Sequence, residues 1–136
     1  MKFVQKKVLI TLGMLVMIAL IVGIVYQRSL HHAKLGKSQA KLRSHLQALH
    51  MYAAHNANSF PTEELWPRTL LETGLLSDFH MKSEFCNEPG EAYVYIDGVT
   101  PFAESQILVY ENPLHWNQGV LTGFANLNVE VIDHDT

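Results

Sequence analysis

The chain has 136 residues, 48% of them hydrophobic and 17% charged, with a formal net charge of −3 at pH 7. That length leaves room for one small domain beside a membrane segment, and the lone Cys86 excludes an internal disulfide framework. The small net charge hides a division: the first 62 residues carry eight Lys or Arg and no acid, whereas the rest carry two cations and all 13 acids, giving +8 and 2 − 13 = −11.

Residues 1–7 form a short tail holding Lys2, Lys6 and Lys7. Residues 8–26, from Val8 through Tyr26, contain no charge, and twelve of these 19 positions are Leu, Ile or Val. At about 1.5 Å per residue a helix of this length covers roughly 28 Å, close to the thickness of a bilayer's hydrocarbon core. A cleaved secretory signal fits less well, because the apolar run is too long and Tyr26, Gln27 and Arg28 at its exit offer no small-residue cleavage site. A transmembrane helix and a lipid partner are therefore expected. Basic residues flank the run on both sides, so charge alone does not orient it.

No proline interrupts residues 8–58, and the apolar pattern changes near Arg28 without a loop signal, so one long helix is predicted. Over residues 27–58 it becomes amphipathic. Leu35, Leu42, Leu46, Leu49 and Ala53 recur at helical spacing, and Leu42, Leu46, Leu49 and Ala53 are expected to pack on a sheet. Lys34, Lys41, Arg43, Ser44 and Gln47 fall largely off that stripe, and Gly36 offers a place to bend. The basic stretch fits anionic headgroups, an acidic surface on its own head or a neighbouring copy, or a solvated face with no partner. Asn56, Asn58, Ser59 and Pro61 end the helix.

Residues 59–136 form the predicted head. Pro67 and Gly74 bracket a short helix over 66–73. Strand texture follows at 92–97, 106–111, 120–125 and 128–132, with turn residues near the ends, and reads as an antiparallel meander. Such a sheet has one face to bury and the helix has an unpaired apolar stripe. The expected class is α+β, a long N-terminal helix packed on a small C-terminal antiparallel sheet.

Leu42-Arg43-Ser44-His45-Leu46-Gln47-Ala48-Leu49-His50-Met51-Tyr52-Ala53, followed by residues 56–61, resembles the end of the long helix and its exit loop in type IV pilin-like and type II secretion pseudopilin-like proteins. Ile107-Leu108-Val109-Tyr110-Glu111, His115, Gly119 and Phe124-Ala125-Asn126-Leu127-Asn128-Val129-Glu130 are similar to the family's closing hairpin. The resemblance implies a pilin-like fold, other pilin-like subunits or secretion or pilus components as partners, a bacterial inner-membrane location and a periplasmic head. The chain departs from the family in two places. The processing signature, a Gly with a Glu five residues into the mature chain, is absent, because Ile18 and Arg28 hold those positions after Gly13 and Gly23. The full N-terminus is expected to be kept. The hairpin's Asp-Gly turn is replaced by Asn126-Leu127, and the steric cost of a left-handed Leu predicts a different turn.

Eight histidines suggest metal binding, but His45, His50 and His55 recur every five residues and point about 140° apart around a helix. His31 and His32 also diverge, and His134 lies between two acids near the C-terminal end. No metal, cofactor or catalytic site is expected, and no enzymatic activity. Cys86 reads as a packing residue, and the basic residues flank an apolar helix rather than form a nucleic-acid surface. Trp116 and His115, in a turn rich in Asn and Gly, are candidate contact residues. Tyr93 and Tyr95 are further candidates; they share a sheet face, so both are displayed or both are buried. The expected function is non-enzymatic: a single-pass, membrane-anchored pilin-like or pseudopilin-like subunit acting in protein assembly. A monomeric tethered domain that binds a ligand or envelope component is the alternative.

Overall fold

The computed structural model describes residues 2–85, 92–103, 105–112 and 119–133, with side chains described from residue 7 onward. Trp116, His115 and Cys86 lie outside the described residues. The fold is α+β: helices α1 (Lys2–His55) and α2 (Trp66–Glu72) precede strands β1 (Tyr93–Tyr95), β2 (Ile107–Glu111), β3 (Val120–Phe124) and β4 (Val129–Ile132). Two compact units divide the chain, Met1–Lys34 and Leu35–Thr136.

The first unit is helix throughout its described length. Its apolar side chains between residues 8 and 26 bury nothing against protein, and the large ones are 55–73% exposed. Thr11 satisfies its hydroxyl within the helix, donating to the Lys7 carbonyl at 2.6 Å.

In the second unit α1 continues without a break through Gly36 to His55. Its end is closed by a backbone bond from Asn58 N–H to the Ala53 carbonyl at 2.9 Å, with Ala57 and Asn58 both in the left-handed region (φ 53° and 57°). This six-to-one bond captures a carbonyl that the last helical turn would otherwise orphan. The helix therefore stops three residues before its expected end. Helix α2 stops at Glu72, with Gly74 (φ 71°) supplying the left-handed residue after it.

The strands form one antiparallel sheet in the order β1-β2-β3-β4. Tyr93 pairs with Glu111 and Tyr95 with Val109, while Val109 pairs with Gly123 and Gly123 with Val129. Directly paired residues share a face, so these side chains point together toward the core. The register shifts between Ile107 and Val109, a bulge that lets the consecutive Leu108 and Val109 both be buried. The apolar stripe of α1 lies over this inner face, with Leu42, Leu46 and Leu49 at 0% exposure and Ala53 at 2%. The approach is close at Gly123. A Cβ there would lie 3.1 Å from both Leu46 methyl carbons and 3.3 Å from Leu42 Cγ.

Two expectations are corrected. Tyr93 and Tyr95 are core residues rather than displayed contacts, 7% and 3% exposed, because their shared face is the one the helix covers. Tyr95 donates its hydroxyl to the Pro61 carbonyl at 2.7 Å and stacks on Trp66 with ring centroids 5.4 Å apart. The β3–β4 turn does use a left-handed Leu: Leu127 has φ 68°. Its N–H donates to the Phe124 carbonyl at 3.1 Å, and Phe124 N–H donates to the Asn128 carbonyl at 2.9 Å. The Asn126 side chain accepts from Asn128 N–H at 3.0 Å, and these three bonds hold the turn against the steric cost of Leu.

Candidate membrane anchor and buried polar seam

The first candidate site is the helix itself. Among the described residues, α1 is the one helix long and apolar enough to cross a membrane. Val8 and Tyr26, the ends of the apolar run, are 61% and 63% exposed. In water that surface would carry a large unfavourable hydration cost; in hydrocarbon it carries none, while the helix satisfies its own backbone groups.

The second site lies in the Leu35–Thr136 unit. Ser38, Lys41 and His45, three and four residues apart on α1, form a polar stripe beside the leucine stripe; Lys41 and His45 hold the loop that follows α2, and Ser38 reaches β2. Lys41 Nζ lies 2.7 Å from Glu84 Oε1 and donates to the Lys82 carbonyl at 2.8 Å. One turn further on, His45 Nε2 donates to the His80 carbonyl at 2.9 Å. Below them Glu111, fully buried on the inner face of β2, accepts from Ser38 Oγ at 3.5 Å and from Ser83 Oγ. Lys41 stands off the apolar stripe and is still only 5% exposed, because the loop covers it.

Electrostatics follow from this burial. Desolvation lowers the His45 pKa to about 4, against a smaller upward pull from its bond to the His80 carbonyl. The ring is neutral at pH 7, with its proton on Nε2, where the carbonyl requires a donor. Its Nδ1 and the Tyr93 hydroxyl are buried without a hydrogen-bond partner among the described residues. The two rings lie 4.5 Å apart. Burial pushes the Tyr93 hydroxyl well above its usual pKa, and the charges of Glu111 and Glu84 add to this.

The other described histidines of the Leu35–Thr136 unit each make a hydrogen bond. His50 Nε2 donates to the Ala125 carbonyl at 2.6 Å, His55 Nδ1 to the Met51 carbonyl at 2.8 Å, and His80 Nδ1 meets Ser77 Oγ at 2.8 Å. No group of three His, Cys, Asp or Glu among the described residues is placed to hold a metal ion. The seam is a cross-brace between helix, loop and sheet.

Sequence reasoning missed Ser38, Lys41, His45, Ser83 and Glu111 as a cluster. Two signals pointed to it: the three-and-four spacing of the helix residues, and the period-two placement of Glu111 on the same strand face as Val109. No protein-family model matches the chain, and neither a curated protein nor a solved structure matches it.

Proposed function

We propose that this chain is a single-pass, membrane-anchored pilin-like or pseudopilin-like subunit of the bacterial inner membrane, whose periplasmic head takes part in protein assembly of a secretion or pilus type. The observation that carries this reading is the double use of α1. One uninterrupted helix supplies an exposed apolar run at residues 8–26 and then, through Leu42, Leu46, Leu49 and Ala53, the core of an antiparallel sheet. A helix used in both ways joins a bilayer-compatible run to the core of a folded head, as suits a subunit that packs beside others.

Membrane fractionation of the full chain and of a variant lacking residues 1–26 tests the anchor: the full chain is expected in the membrane and the variant in the soluble fraction. Labelling of Cys86 by a membrane-impermeant thiol reagent, after its reactivity in detergent is established, tests the orientation. Labelling in intact spheroplasts is expected, and labelling only after the inner membrane is broken would place the head in the cytoplasm. In-cell crosslinking followed by mass spectrometry tests assembly. Recovery of the chain only as a monomer, with no crosslinked protein, would refute the subunit reading and leave a tethered monomeric domain.

A further inference from the structure

Two surface features of the Leu35–Thr136 unit complement each other. The first is a groove of about 160 Å³ lined by Lys37, Ala40, Lys41, Ser44, Phe79 and His80. Lys41 turns inward to Glu84, with Nζ 4.3 Å from the Phe79 ring centroid, and Phe79 remains 64% exposed. Lys37 is exposed and makes no ion pair among the described residues. Asp78 and Lys82 are both exposed on the same loop and neither lines the groove, which combines an aromatic wall with the positive charge of Lys37.

The second feature is the turn before α2. The N–H groups of Leu65 and Trp66 both donate to the Thr62 carbonyl, at 3.0 and 2.9 Å. Tyr95 holds the Pro61 carbonyl, and Trp66 is buried. From this braced turn Glu63 and Glu64 project into solvent, and Leu65 is 49% exposed. It is an apolar knob preceded by two carboxylates.

None of the turn's residues lines the groove. We infer that the groove receives the Glu63-Glu64-Leu65 turn of a second copy, with Leu65 against Phe79 and Ala40 and the carboxylates toward Lys37. The two patches differ, so the contact is head-to-tail and propagates from copy to copy unless the ring closes. It is much smaller than the roughly 1,200 Å² of a stable soluble complex, and confinement of the copies to one bilayer supplies the effective concentration it needs. The inference rests on the membrane-subunit reading above and names its partner.

The test uses the full chain carrying Cys86→Ser in phosphatidylcholine vesicles. Two differently tagged populations, one with Ser44→Cys and one with Thr62→Cys, are mixed and oxidised. The mixed disulfide dimer is expected to exceed both same-site dimers. Lys37→Glu should lower its yield about fivefold, as should Glu63→Lys with Glu64→Lys, and combining the reversals should restore it. Unchanged melting of Lys37→Glu would establish that the loss is not unfolding. Equal yields of the three dimers, absence of any dimer, or charge reversals without effect would each overturn the contact. If copies still crosslink to one another in cells, the assembly reading survives that failure.

Discussion

Lys41 of the long helix and Glu84 of the loop ahead of β1 meet at 2.7 Å with side chains 6% and 22% exposed, an unequal burial with an energetic consequence. Removing one partner strands the other, and the penalty grows with the burial of the charge left behind. Glu84→Ala should destabilise the head by about 2–3 kcal/mol, leaving Lys41 with the Lys82 carbonyl and the Phe79 ring alone. Lys41→Met should cost about 1 kcal/mol, because Glu84 reaches water and the methionine keeps the packing. Denaturant unfolding of the full chain in detergent, followed by Trp fluorescence, would reveal the order; equal costs would contradict it.

Acid should weaken the head through His45. The pKa is about 4 in the fold against 6.5 in the unfolded chain. The folded state holds the ring neutral, so the unfolded state binds more protons below pH 6.5. The contribution of His45 is complete above pH 6.5 and falls away as the pH drops toward 4, a loss of about 3 kcal/mol across that window. His45→Gln retains a donor for the His80 carbonyl and removes the titration. Its stability should decline less steeply than wild type between pH 7 and 4.5, and parallel profiles would refute the assignment.

Leu127→Gly should stabilise the protein by about 1 kcal/mol, because φ 68° costs a leucine energy that glycine avoids and the side chain is 45% exposed. Leu127→Val, branched at Cβ, should destabilise it. Midpoints of thermal unfolding moving in opposite directions would establish the strain.

Two glycines should differ in their response to a methyl group. At Gly119 (φ 133°) a Cβ would lie 2.7 Å from the Ile132 carbonyl oxygen, a backbone atom of the paired strand, whereas at Gly98 (φ 78°) nothing lies within 4 Å. Gly119→Ala should therefore cost about 3 kcal/mol or more and Gly98→Ala about 1 kcal/mol, read from denaturant midpoints.

The sequence by itself determined the elements. An uncharged run of 19 residues, a heptad-like leucine stripe and four alternating segments bounded by Asn, Asp and Gly each encode their structure locally, through spacing that any short window contains. The strand ends came within one or two residues, and Leu42, Leu46, Leu49 and Ala53 could be placed on one face. Only the tertiary structure decided which polar residues are inside. Ser38 and Glu111 are 73 residues apart, and nothing local to either indicates that the loop carrying Ser83 and Glu84 folds over them. Tyr93 and Tyr95 were bound to share a fate by alternation, but which fate depended on the face α1 covers. The positive φ of Leu127 was equally unreadable, because residue preference opposes it and only the combined hydrogen bonds of the formed turn overrule that preference. Periodicity is a property of neighbours along the chain, whereas the burial of a charge depends on groups that only folding brings together.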